Sequence, residues 1–256
     1  MNNRLIIWGA GILGGLVGKL WTSGPVIGIT QSEKRHELLR QSGIHPRTAF
    51  SPREIQPDDC LLLALPGYNR QRELLVKLRP FAPPQRAILI SSTGYYGFPH
   101  GRITENTPPG EDNLCQAIAA TEHDFHKWTG AGAILRLGGL YNAGRGPFAA
   151  LIRKGMPSPK PADRPLPLIH YEDAATAVFN ALHHPHPEHF YLGVTPPCPT
   201  RREFYDAACT RLHLPLPEFE PARRLPAAVW DVARWQQDLL PQPAFPNWQK
   251  GVFASQ

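Results

Sequence analysis

Arg4-Leu5-Ile6-Ile7-Trp8-Gly9-Ala10-Gly11-Ile12-Leu13-Gly14 decides the fold of this chain. Leu5 to Trp8 is a short apolar run without polar alternation, the pattern of a strand buried on both faces. The run breaks into Gly-x-Gly-x-x-Gly, and Leu13 to Leu20 then takes on helical character. A lone glycine triplet is a weak signal, but between a strand and a helix it becomes a dinucleotide-binding turn. Gly9 permits the tight turn, Gly11 lets the backbone approach a pyrophosphate, and Gly14 lets helix and strand pack closely. The helix N-terminus, with Ile12 and Leu13 in its first turn, supplies aligned N–H groups for phosphates.

Outward from this turn, strand and helix signals alternate. Pro25 to Ile29 reads as a second strand and Glu33 to Gln41 as a helix. Cys60 to Ala64, Ala87 to Ile90 and Ala133 to Leu137 are further buried-strand runs. Leu114, Ile118, Thr121, Phe125 and Trp128 form the stripe of a helix over 113–128. Such alternation predicts an α/β fold, a doubly wound parallel Rossmann sheet. Beyond Tyr141 prolines accumulate, and the pattern yields a helix over 171–183, a strand over 190–194 and terminal helices over 200–212 and 227–240. Thr200 suits an N-cap. The expected organisation is a dinucleotide-binding domain over 1–141, with 171–194 returning to its sheet. Residues 142–170 and 195–256 make a small irregular lobe on the substrate side.

Composition narrows the class. The chain has 256 residues, a net charge of +6, 42% apolar and 19% charged residues, the balance of a globular protein. Its basic residues are scattered, with no more than pairs such as Lys34-Arg35, Arg201-Arg202 and Arg223-Arg224. No basic stripe for nucleic acid follows from that, and attraction to small anions explains the charge. Four separated cysteines form no metal spacing and suit a reducing, cytoplasmic setting. The apolar stretch from Leu5 is too short and too glycine-rich to span a membrane. Glu122, His123 and His126, and the His183 to His189 tract, read as solvated positions, so no metal is expected.

The end of the second strand reads the cofactor's ribose. Where a dinucleotide site without a 2′-phosphate usually carries an acid, this chain has Thr30-Gln31-Ser32-Glu33-Lys34-Arg35. Thr30, Gln31, Lys34 and Arg35 can surround a phosphate, which favours NADP while leaving NAD open. The alternative is a plain helix start with Glu33 on the helix dipole and the basic residues in water. Leu65 and Pro66, beyond the Cys60 run, complete the expected cofactor wall with Ser91 and Ser92.

Three later motifs carry a resemblance. Ser91-Ser92-Thr93-Gly94-Tyr95-Tyr96-Gly97 follows a strand, Leu135 to Arg145 reads LRLGGLYNAGR, and Ile169 to Ala175 reads IHYEDAA. With the closing Phe245-Pro246-Asn247-Trp248, these make the chain resemble the extended and atypical short-chain dehydrogenase/reductases, in particular the NAD(P)-dependent epimerase/dehydratase-like branch. The resemblance implies Thr93 as the catalytic hydroxyl, Tyr96 as the motif's own tyrosine and Tyr95 beside it, with Arg145 and His170 bordering the substrate cleft. It also implies a Tyr-x-x-x-Lys pair on the 113–128 helix, and there the chain departs. That helix has no tyrosine, and its lysine, Lys127, lies near the far end. Two functions remain open: an oxidoreductase or epimerase-like enzyme on a small carbonyl or sugar-like substrate, with Tyr96 or Tyr95 carrying the proton, or a non-catalytic dinucleotide-binding sensor or assembly factor. A homodimer paired through the 113–128 helix is the expected assembly.

Overall fold

Seven parallel strands make the central sheet in the computed structural model, which describes residues 3–156 and 158–253. In chain order the first half holds β1 (Leu5–Trp8), α1 (Ile12–Leu20), β2 (Val26–Ile29), α2 (His36–Gln41), β3 (Ile44–Arg47), β4 (Cys60–Leu63), α3 (Tyr68–Leu78) and β5 (Arg86–Ser92). Next come β6 (Gly101–Ile103), α4 (Asn113–Thr129), β7 (Ala133–Leu137), β8 (Gly139–Tyr141), α5 (Pro147–Lys154) and β9 (Leu168–His170). The chain then forms α6 (Tyr171–His183), β10 (Phe190–Gly193), α7 (Arg201–Leu212), β11 (Ala228–Trp230), α8 (Ala233–Asp238) and α9 (Trp248–Phe253). The sheet order is β3-β2-β1-β4-β5-β7-β10, and every pairing in it is parallel.

Both faces of this sheet are covered, which explains strands without polar alternation. Leu5 and Ile7 of β1 join one core, packed with Leu13 and Val17 of α1 and Ala174 and Val178 of α6. Ile6 and Trp8 point the other way, into a core with Leu74, Leu75 and Leu78 of α3 and Phe125 of α4. Burying a side chain of this size contributes about 1.5–3 kcal/mol. The strand therefore has no face on which a polar residue is tolerated.

β8, α5, β9, α7 and α9 pack around a smaller core apart from the sheet, whereas Ile103 of β6, Trp230 of β11 and Trp235 of α8 join the core on one face of the sheet. That smaller core gathers Tyr141, Phe148, Phe204 and Trp248. β8 pairs with β9, and β11 with β6, as two small parallel ladders. A capping box at Thr200 and Glu203 starts α7, so the N-cap read from the sequence is present. The C-terminal segment is tied back to α6, where the buried Asp173 accepts hydrogen bonds from the N–H groups of Ala244 (2.8 Å) and Phe245 (3.0 Å).

Three elements depart from the sequence expectations. β3 contains Pro46, which a strand tolerates only at a sheet edge, and β3 is the edge. α3 begins with a polar first turn that hides its Leu74, Leu75 and Leu78 stripe. The single helix expected over 227–240 does not form. Trp230 instead pairs with Ile103, and the Asp231 carboxylate takes the Ala233 N–H, so α8 begins only there. Among the described residues no helix is long and apolar enough to cross a membrane.

Candidate functional site

Strand order reverses between β1 and β4, and a cleft opens at their carboxyl ends, where such sheets hold ligands. It has two adjoining halves of about 650 and 660 Å³ that share Gly9, Gly11, Arg35, Leu65 and Pro66.

The glycine turn forms the floor at their junction. Gly9 has φ +98°, and a Cβ there would fall 2.6 Å from the carbonyl carbon and oxygen of Ala64. A Cβ on Gly14 would meet Gly9 O at 2.7 Å and Ile7 Cγ2 at 2.8 Å. Gly11 is different: nothing but Gly9 O, at 3.9 Å, comes near a Cβ there, and the residue lines both halves. Its empty side is thus cleft rather than protein. Gly11 also caps α1 without a side chain, and no acid occupies the first turn. The N–H groups of Ile12, Leu13 and Gly14 have no intrahelical acceptors, and together they favour an anion at this floor.

One half runs past β2. Thr30, Gln31 and Arg35 line it, with Arg70 and Lys77 of α3 opposite and Phe50 and Leu74 beside them. Arg35 borders both halves, and its buried Nε has no hydrogen-bond partner among the described residues. The Thr30 hydroxyl donates to the Ser32 carbonyl (2.9 Å) and hydrogen-bonds His36 Nε2 (2.8 Å), which fixes the turn. Lys34 is exposed and lines neither half.

The other half lies over β5 and β7. Ser91, Ser92, Gly94, Gly138, Arg145 and Tyr171 line it, and α4 contributes Leu114 and Ile118. These two are four residues apart, one turn of helix, so the positions of α4 that face the cleft are both aliphatic. Gln71 braces the wall, its side-chain amide donating to the carbonyls of Leu65 (2.9 Å) and Ile90 (2.8 Å).

Behind this half sits a buried ionic cluster. The Ser91 hydroxyl donates to Glu122 Oε1 at 2.5 Å, and Glu122 pairs with Arg136 Nη2 at 2.7 Å. Both charged residues are only 3% exposed. Arg136 Nη1 donates to the Tyr96 hydroxyl (3.0 Å) and the Glu105 carbonyl (2.9 Å), and its guanidinium lies 3.6 Å from the Tyr95 ring centroid. Burial opposes the Arg136 charge, but hydrogen bonds to Glu122 and its charge outweigh that and raise the guanidinium pKa.

The residues singled out from sequence do not all converge. Tyr96 is buried, its hydroxyl donates to the Thr104 carbonyl (3.1 Å), and burial pushes its pKa up to about 12 against the Arg136 charge. That tyrosine stands in the wall behind the cleft as a neutral donor. Tyr95 packs on Arg136 and lines neither half of the cleft. Thr93 opens into a separate, smaller cavity that touches the cleft at Gly94. His170 caps α6, accepting from the Glu172 N–H (3.3 Å), and stacks on Phe245 with ring centroids 3.5 Å apart. Arg145 does reach the cleft, beside Tyr171.

Sequence reading did not single out Arg70, Lys77, Gln71 or Tyr171. The first three sit on α3, whose leucine spacing was the available signal. Tyr171 belongs to a helix legible in the sequence, and only the β9–α6 junction turns it toward the cleft. Glu122 faces inward to Arg136 while His126 packs on His189 and Phe190, so the two do not form one metal-binding face. Among the described residues no cluster has the makings of a metal site.

No protein-family model matches the sequence, and no curated protein does. Solved structures do match. A functionally unknown conserved protein from Silicibacter pomeroyi superposes with a TM-score of 0.76 at 19% identity, over 98% of this chain and 97% of that one. The UDP-glucuronic acid 4-epimerase of Bacillus cereus, in complex with NAD, gives 0.73 at 16% identity over 94% and 92%. The human epimerase family protein SDR39U1, with NADPH, gives 0.66 at 18% identity over 96% of each chain. Across almost its whole length, then, this chain shares the fold of these structures, one an epimerase and one an epimerase family protein.

Proposed function

We propose that the chain binds NADP in the cleft and is an oxidoreductase or epimerase-like enzyme for a small carbonyl or sugar-like substrate. The observation that carries the reading is the open space over Gly11, flanked by the free N–H groups of α1 and continuous with Arg35. Gly9, Gly11, Ile12, Leu13 and Gly14 would hold the pyrophosphate. Thr30, Gln31 and Arg35 would take the adenosine side, with Arg70 and Lys77 adding the charge that a 2′-phosphate calls for. Leu65 and Pro66 would wall the middle, and Ser91 and Ser92 would stand at the nicotinamide end. Proteins of the same fold are described with NAD and with NADPH, in keeping with this assignment. A bound nicotinamide supplies hydride chemistry. Around it, Arg145 and Tyr171 would orient the substrate and Ser91, backed by Glu122, would offer a hydroxyl.

One observation favours a second reading. With Leu114 and Ile118 facing the cleft, α4 offers no proton relay, as suits a dinucleotide sensor that does not turn over. Calorimetric titration with NADPH and NADH, followed by turnover assays on a carbonyl panel, separates the two. NADPH is expected to bind at least about tenfold more tightly than NADH, and Arg35→Ala to bring the two close together, since a charge-assisted hydrogen bond is worth about 1.5–3 kcal/mol. If neither nucleotide binds below about 1 mM, the proposal is wrong. Binding without turnover selects the sensor.

A further inference from the structure

The smaller cavity, about 380 Å³, is lined by Thr93, Gly94, Lys160, Arg164, Arg201 and Trp230 among others. Three cations therefore face one space. Among the described residues none of them is ion-paired. Asp163 lies next to Arg164 in the chain but does not line the cavity, and its Oδ2 accepts the Arg224 N–H. Asp112, exposed at the start of α4, feels the Arg164 charge from outside. No carboxylate belongs to the lining.

The cations are placed by backbone. Arg201 N donates to the Arg164 carbonyl at 2.9 Å, and Arg164 N to the Pro161 carbonyl at 3.2 Å, so the two arginines are tied together at the mouth of α7. Their side chains lie against Tyr205 and Phe98, which restricts them further. The second observation is independent. Trp230 is 6% exposed, and its indole Nε1, buried, has no hydrogen-bond partner among the described residues. An unpartnered buried donor is unfavourable unless something accepts from it. The same holds for Arg201 Nε. Three cations and a threonine hydroxyl around one space, with no carboxylate in its lining, define a site for an oxyanion.

We propose that this cavity seats the anionic head of the small molecule whose reactive end lies in the cleft, and that the head is a phosphate group rather than a carboxylate. Three facing cations suit a doubly charged oxyanion better than a singly charged one. Gly94 borders both spaces, and Gly138 of the cleft adjoins Gly139 of the cavity, so one ligand can reach from one to the other. The inference rests on the proposed function for the second end of that ligand, and on the cavity alone for the first.

The test is two-dimensional proton–nitrogen NMR of the tryptophan indoles, with the Trp230 signal assigned by Trp230→Phe. Inorganic phosphate should move that signal saturably, with a lower half-saturation than acetate, and chloride at equal ionic strength should leave it in place. Arg164→Gln and Arg201→Gln should each weaken phosphate by about tenfold or more, as loss of a charge-assisted hydrogen bond does. If either variant fails to fold, the exposed Lys160→Gln serves, with a smaller weakening expected. No saturable shift, or a shift that these substitutions leave unchanged, overturns the site. Tighter acetate than phosphate overturns the phosphate assignment. NADPH titration read at Trp8, which lines the adenosine half, tests the dinucleotide reading separately. Either can fail while the other stands.

Discussion

The glycine turn after β1 and the serine loop after β5 leave strand tips on the same edge of one sheet, with β4 between them, yet they are held in opposite ways. Gly9 and Gly14 are fixed by backbone contact: any side chain there would collide with Ala64, Gly9 O or Ile7. The Ser91 to Gly97 loop is held by side chains from far along the chain, with Glu122 and Arg136 closing on Ser91 and Tyr96. A site built by steric exclusion is written locally. One built on a buried charge pair depends on the whole fold being in place.

The largest expected effect breaks the second arrangement. Glu122→Leu or Arg136→Leu alone should destabilise the protein by about 3–5 kcal/mol in urea denaturation, because each leaves a buried charge uncompensated. The double substitution to leucine should recover much of that loss. Single variants within about 1 kcal/mol of the parent would show that the loop does not depend on the pair.

The glycine turn should divide into two behaviours. Gly9→Ala adds a positive-φ penalty to a backbone collision, about 3 kcal/mol together, measurable by the same denaturation. Gly11→Ala should leave stability within about 0.5 kcal/mol, since its Cβ meets open space, yet weaken NADPH by about tenfold or more. Equal losses in both variants would erase the distinction between a glycine needed by the fold and one needed by the ligand.

The smallest effect concerns pH. Burial lowers the pKa of His126, helped by His189 and His123, and burial lowers that of His170. The unfolded chain therefore takes up protons first as pH falls below the ordinary histidine value near about 6.5, and stability declines on acidification. Melting temperature should drop between about pH 7.5 and 5.5, and His126→Gln should flatten that slope without altering NADPH affinity. An unchanged slope would remove His126 from the account.

The same contrast explains what the sequence made legible. The Gly9 to Gly14 turn, the buried strands around it and the Thr200 cap are local rules, visible in adjacent residues. Arg136, within the apolar Leu135-Arg136-Leu137 run, gave no sign of its partner 14 residues upstream, because only the packing of α4 against β5 and β7 joins them. Tyr96 follows the motif of its family resemblance, but the Thr104 carbonyl and Arg136 claim its hydroxyl. The missing tyrosine on α4 could be read directly, whereas the aliphatic pair facing the cleft needed the helix's rotation. β3 was hidden by its proline and α3 by its polar first turn, and with α3 went Arg70 and Lys77.

Asp173 has a consequence for how the chain comes to be made. Its two backbone donors belong to residues 244 and 245, so a growing chain can complete the seven-stranded sheet at β10 while this carboxylate still lacks both. In the folded protein burial disfavours the Asp173 charge, and these two N–H groups offset that. Docking of the C-terminal strap against α6, beside Tyr171 at the cleft edge, can therefore follow only once residues 244 and 245 have been made.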